Sequence, residues 1–123
     1  MEDNIRQVIV MRRFKNLRIG KYIAQGSHGS IAFLTNALKE KRELTEVEQS
    51  WVDNSFTKIC VYVETDEELD TLYKQAKEAG LNAYLIVDNG LTEFKGIKTK
   101  TCLTIGPDYK SKLDPITGHL PLF

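Results

Sequence analysis

Four short runs rich in β-branched residues punctuate the chain: "IRQVIVMR", "KICVYV", "AYLIV" and residues 99–105. Each is too short for a helix and dense enough in Val, Ile and Thr to be a buried strand. Between the first two, residues 21–40 read as a helix. Ile23, Ser27, Ile31, Leu34 and Leu38 share one of its faces at helical spacing, while Gly26, Gly29 and Ala32 allow a neighbour close approach. Thr45 and Glu48 stand in capping-box spacing and open a second helix that anchors Trp51. Thr65 and Glu68 repeat that spacing ahead of Leu69, Leu72, Tyr73 and Ala76, a third helix that Gly80 ends. The turn-rich "DNGLTEFKG" leads into the fourth strand, which Gly106-Pro107 is expected to break. The tail "LDPITGHLPLF" reads as a short turn and an extended end covering part of the core.

The order strand, helix, helix, strand, helix, strand, strand predicts an α/β fold, a three-layer sandwich whose four-stranded mixed β-sheet is flanked by helices. Helical crossovers make the first three strands mutually parallel, and the tight last connection makes the fourth antiparallel. Residues after strand one, after strand three and at the start of strand four then meet at one sheet edge. That edge is the carboxyl end of the parallel strands, where open α/β sheets place ligands. Lys21, Asp88, Thr92, Thr99 and Thr101 converge there on topology alone.

At 123 residues the chain has the length of one domain. Its apolar fraction of 41% and charged fraction of 28% are those of an ordinary globular protein. No apolar run approaches the roughly 18 residues of a membrane span, and the acidic N-terminus is unlike a secretory signal, so a cytosolic protein is expected. Cys60 and Cys102 lie alone inside apolar runs, which favours buried thiols over a disulfide or metal site. The net charge is zero, yet no acid falls between Asp3 and Glu40, where Arg6, Arg12, Arg13, Lys15, Arg18, Lys21 and Lys39 all lie. Lys95, Lys98 and Lys100 form a second basic stretch, and the acids collect in "ETDEELD". A locally basic surface on a neutral chain suits a polyanion such as nucleic acid, with binding that weakens as salt rises. A solvated charge run is the plainer alternative.

Lys21, Gln25 and His28 stand at i, i+4 and i+7, one stripe running back from the start of the first helix. A lysine in the first turn opposes the positive potential already there, so a bound phosphate or a carboxylate such as Asp88 should compensate. A purely structural ion pair explains the spacing equally well. His28 is expected to be a partly buried, hydrogen-bonded histidine. Asp88 closes an apolar strand and opens an Asp-Asn-Gly turn, a common local arrangement. It is also held rigidly at the ligand edge, where a carboxylate can position water. Thr92, Thr99 and Thr101 offer hydroxyl donors. There is no phosphate loop, strand-linked G-x-G-x-x-G, H-E-x-x-H or nucleophile elbow, and nothing points to a Ser-His-Asp triad.

In order along the chain, "QVIVMR", "GKYIAQGSH", "VDNGLT", "TKTCLTIGP" and "DPITGHLPLF" resemble the archaeal and eukaryotic type of peptidyl-tRNA hydrolase, the type 2 family. The resemblance covers nearly the whole chain and implies a single peptidyl-tRNA hydrolase-like domain over 1–123. It implies an enzyme that hydrolyses the ester between a peptide and the 3′ end of tRNA, recycling tRNA from stalled translation. Matched by motif, the family's important lysine falls on Lys21, its glutamine on Gln25, its aspartate on Asp88 and its threonines on Thr92 and Thr101. The chain departs from the family in reading "LRIGK" where M-G-K-G-K is usual, and in having Leu91 and Glu93 around the turn threonine. It has one extra residue between Gly96 and Thr101, and Pro115 is expected to interrupt the family's final helix.

On this basis Asp88 orients a water, Lys21 stabilises the oxyanion or holds a terminal phosphate, Thr92 and Thr101 donate hydrogen bonds, and Gln25 orients Lys21 or the ribose. Arg12, Arg13, Lys15, Arg18 and Lys98 would grip tRNA phosphates with little sequence discrimination. No metal or cofactor is called for, the partner is peptidyl-tRNA rather than a membrane, and a homodimer is left open. Leu91 and Glu93 motivate an alternative, a non-catalytic tRNA- or protein-binding module on the same scaffold. A third reading is an esterase or amidase acting on another acylated small molecule.

Overall fold

The computed structural model describes residues 4–91 and 93–123. The elements are β1 (Ile5–Arg12), α1 (Ile19–Glu40), α2 (Glu46–Asp53), β2 (Thr57–Val63), α3 (Asp66–Glu78), β3 (Ala83–Asp88), β4 (Thr99–Tyr109) and α4 (Lys110–Thr117). The strands form one sheet in the order β2-β1-β4-β3. β1 runs parallel to β2, and β4 runs antiparallel to both β1 and β3. This is the mixed four-stranded sheet, with helices flanking it, that the order of elements predicts.

Side-chain alternation along β4 separates two unlike faces. Leu103 and Ile105 join Val8, Val10, Val61 and Val63 against Leu69, Leu72 and Ala76 of α3 and Leu113 and Ile116 of α4, forming the apolar core. The intervening Cys102 and Thr104 face α1, and that layer is fastened by hydrogen bonds. Thr104 Oγ1 donates to Gly29 O at 2.9 Å, and the buried Gln7 exchanges bonds with Ser30 at 2.9 and 2.6 Å. A Cβ at Gly29 would lie 2.6 Å from Thr104 Cγ2 and 3.1 Å from Cys102 Sγ, so α1 reaches this depth only with glycine there.

The docked face of α1 is accordingly Gln25, Gly29, Phe33 and Ala37. The stripe that helical spacing would turn to a core lies mostly outside it: Ile23, Ile31 and Leu38 are 64%, 51% and 71% exposed. Large aliphatic side chains against Gln7 and Thr104 would hold the helix off the sheet and strip those polar groups of partners. Small residues decide the docking face, and apolar periodicity does not.

Two further expectations are corrected. β4 continues through Gly106 and Pro107 to Tyr109, because its pairing with β1 shifts register between Arg6 and Val8. A bulge is where a residue lacking an N–H leaves no gap in the ladder. The tail forms α4 rather than a turn, and Pro115 lies inside it. In a helix of eight residues the proline forgoes a single backbone bond, which burial of Leu113 and Ile116 outweighs. Beyond α4, Leu122 bridges to Val61 on the outer side of β2.

Both capping boxes form as read. Glu48 does more than cap α2. Its carboxylate, 1% exposed, takes both terminal nitrogens of Arg42 at 2.8 and 3.2 Å, Asn82 Nδ2 at 3.0 Å and Thr45 N at 2.9 Å. It therefore ties the end of α1 to α2 and to the turn before β3. Glu48→Ala removes the buried acceptor shared by Asn82 Nδ2, Thr45 N and the half-buried Arg42 and should cost about 1–3 kcal/mol, read as a fall in the denaturation midpoint; a loss within 0.5 kcal/mol, typical of surface changes, would contradict that role.

Candidate functional site

β1 and β3 both end at the carboxyl edge of the sheet, at Arg12 and Asp88, and α1 begins beside them. No acidic residue occupies the first turn of α1. The compensating charge comes from β3 instead: Lys21 Nζ lies 3.0 Å from Asp88 Oδ1. One turn on, Gln25 Nε2 donates to the same oxygen at 3.2 Å. Asp88 Oδ2 accepts from Gly90 N at 2.8 Å, which closes the Asp-Asn-Gly turn. Three donors thus converge on one carboxylate. Burial pushes the Asp88 carboxyl up, but the hydrogen bond from Lys21, the Gly90 N–H, the Lys21 charge and Gln25 together hold it below the usual carboxylate range.

The Lys21 and Asp88 side chains are 12% and 11% exposed, so the pair keeps contact with solvent at the sheet edge rather than lying wholly inside the core. A carboxyl with a depressed folded value stays ionised as pH falls through the ordinary aspartate figure of about 3.9 and takes its proton only below it. If ionised Asp88 is required, kcat/KM should stay level down to about pH 4 while circular dichroism reports an intact fold. An acid limb centred near pH 6 would mean that another group governs activity.

Gln25 is itself buried and its orientation is imposed from β4. Thr101 Oγ1 donates to Gln25 Oε1 at 2.6 Å, leaving the amide nitrogen to face Asp88. Strict alternation would put Thr101 and Cys102 on opposite faces of the sheet. The β3–β4 register shifts between Ile86, opposite Cys102, and Val87, opposite Lys100. Thr101 is the extra residue of that bulge, which re-aims its hydroxyl to the α1 side, where Cys102 Sγ also meets Gln25 O at 3.3 Å. Both cysteines are free, and burial pushes the Cys102 thiol up to about 12, so it is no nucleophile near neutral pH.

Around this centre, Phe14 and Phe94 pack with ring centroids 5.1 Å apart. The Arg12 guanidinium stands 4.5 Å from the Phe14 centroid and the Lys21 ammonium 5.7 Å from that of Phe94. Arg18 Nε meets Glu93 Oε1 at 2.6 Å, joining the start of α1 to the loop before β4.

Of the residues singled out from sequence, Lys21, Gln25, Asp88 and Thr101 come together. Thr101 is buried and reaches Gln25 rather than Asp88. Thr92 lies outside the described residues. Thr99 pairs opposite Asp88 across the strands, and its hydroxyl donates to Ile97 O at 2.9 Å. His28 is exposed rather than partly buried. At seven residues from Lys21 it falls on the side of that residue away from Gln25 and the sheet. Among the basic residues, Lys15 and Lys98 are exposed. Arg13 pairs with Glu64 at 2.8 Å over the Tyr62 ring. Arg12 is half-buried and donates to Lys100 O at 3.3 Å. Sequence reasoning did not single out Gly90, Phe14 or Phe94. The Asp-Asn-Gly triplet signals the first, and one aromatic in each loop at the ligand edge signals the others.

The family model described as Peptidyl-tRNA hydrolase PTH2 matches residues 5–123. The chain is 38% identical over 117 residues to a peptidyl-tRNA hydrolase of Thermococcus onnurineus, covering 95% of this chain and 96% of that protein. It is 38% identical over 118 residues to a peptidyl-tRNA hydrolase of Methanothermobacter thermautotrophicus, covering 96% and 99%. A probable peptidyl-tRNA hydrolase 2 of Drosophila melanogaster is 34% identical over 122 residues, covering 99% of this chain and 63% of the fly protein.

Proposed function

We propose, since the chain belongs to the peptidyl-tRNA hydrolase PTH2 family and hydrolyses the ester joining a peptide to tRNA, that the Lys21–Asp88 pair is the centre of that hydrolysis. The observation that carries this reading is the convergence of Lys21, Gln25 and Gly90 N on one carboxylate at the ligand edge of the sheet. Asp88, held ionised, accepts a hydrogen bond from a water and aims its oxygen at the ester carbonyl. As the carbon–oxygen bond forms, negative charge grows on the carbonyl oxygen, and the Lys21 ammonium stabilises it. Collapse breaks the bond to the ribose 3′ oxygen, which leaves as a hydroxyl carrying the proton given up by the water. Gln25 and Thr101 are positioning residues: Thr101 fixes the amide of Gln25, and Gln25 fixes the carboxylate. Thr92 joins them as a donor on the strength of motif position alone.

Arg12, Arg13, Lys15, Arg18 and Lys98 supply the surface for tRNA phosphates. The exposed pair Arg13–Glu64 is weak enough in water for phosphates to compete with the carboxylate. The outward Ile19, Ile23, Ile31 and Leu38 of α1 support a homodimer. No helix among the described residues is long and apolar enough to cross a membrane, and a translation substrate supports work in the cytoplasm. Incubation with N-acetyl-leucyl-tRNA, following release of free tRNA beside a salt titration of tRNA binding, tests the reading. Release together with binding that weakens as salt rises supports it. Binding without release would make the chain a non-catalytic module.

A further inference from the structure

We propose that Phe94, braced by Phe14, is the surface on which the base of the terminal tRNA nucleotide stacks. The inference rests on the Lys21–Asp88 pair being where the ester is cleaved. The nucleotide whose ribose carries the ester places its base one ribose ring from the scissile bond, so the base must rest immediately beside that pair. Among the described residues, Phe14–Phe94 is the aromatic pair that borders it, with the Phe94 centroid 5.7 Å from Lys21 Nζ and 5.1 Å from the Phe14 ring. Both residues are half-buried and lie outside the apolar core.

The surroundings hold the rings in place. Phe94 sits in the loop that Arg18 ties to α1 through Glu93. Phe14 is gripped from behind: Tyr22 Oη accepts from Phe14 N at 2.8 Å and donates to Phe14 O at 3.1 Å, and Arg12 stands over the ring. Two rings inclined at 48° with a cation beside each form a surface for a flat, electron-rich heterocycle. Stacking does not depend on hydrogen-bond pattern, so such a surface grips the adenosine that ends every tRNA while staying indifferent to which tRNA carries it. It also assigns work to a loop whose other large apolar side chains, Leu91 and Ile97, face solvent.

The test compares N-acetyl-leucyl-tRNA ending in adenosine with the same tRNA ending in a base-less ribose, chemically acylated. For the wild type, kcat/KM should favour the adenosine-ended substrate by about tenfold or more, the size of one base–aromatic stack. In Phe94→Leu, which keeps an apolar side chain, that ratio should fall towards one, and Phe94→Trp should preserve it. A wild-type ratio of one, or an equal ratio in wild type and Phe94→Leu, overturns the proposal. Failure of the underlying site assignment looks different: Asp88→Asn would then turn over both substrates as fast as the wild type.

Discussion

Asp88→Asn is expected to lower kcat by about 10²- to 10⁴-fold, the span that positioned general bases supply, with the fold intact by circular dichroism. The carboxylate accepts from Lys21 Nζ and Gln25 Nε2 on one oxygen and from Gly90 N on the other. Asparagine has the same shape but a single acceptor oxygen. Turned towards Lys21, its amide nitrogen faces the Gly90 N–H; turned towards Gly90, it faces the Lys21 ammonium and the Gln25 amide. Either way two donors oppose each other, and no charge remains to align water. Steady-state kinetics on N-acetyl-leucyl-tRNA measure the effect. A loss below tenfold would move the water-positioning role elsewhere.

Gly90→Ala is expected to be nearly as damaging without touching a reacting group. Gly90 has a φ of +84°, and a Cβ there would lie 2.4 Å from Ile97 O and 2.6 Å from Ile97 N. These are backbone atoms, so no side chain can rotate aside, and the loop, which also closes on Gly90 through the 2.8 Å Gly96 N to Gly90 O bond, must open. Backbone strain of this kind costs about 1–3 kcal/mol. The same movement withdraws the Gly90 N–H from Asp88 and shifts Phe94, so kcat/KM should fall by about 10²-fold, the penalty for a misplacement near 1 Å. Urea denaturation and kinetics on one preparation separate the two effects. Wild-type kinetics in a destabilised variant would mean that the turn supports the fold and not the carboxylate.

That Lys21 and Asp88 lie at one sheet edge was legible before any coordinates, because parallel β1 and β3 end on the same side; that they touch was not. Helix positions were legible too, since Thr45 with Glu48 and Thr65 with Glu68 mark helix starts through local hydrogen bonds that need no tertiary partner. The docking face of α1 was not. Ile23, Ile31 and Leu38 carry the periodic signal, whereas the contact is decided by Gly29 and by polar groups on β4 that become known only once the strands pair. Thr101 was legible as a candidate site residue, but its contact was not. A one-residue bulge, which leaves no mark in side-chain alternation, turns its hydroxyl onto Gln25. Pro115 shows the limit of a local rule, because one missing backbone bond in α4 is small beside the burial of Leu113 and Ile116.

In the proposed mechanism Lys21 acts on the charge developing during ester cleavage rather than on substrate affinity. Single-turnover hydrolysis of N-acetyl-leucyl-tRNA under saturating Lys21→Ala, with the dissociation constant of the same variant for tRNA, tests it directly. The chemical rate should fall by about 10²- to 10³-fold, as for loss of one oxyanion donor, while tRNA affinity changes only a few-fold. A wild-type rate at saturation, with the whole defect in the dissociation constant, would contradict it.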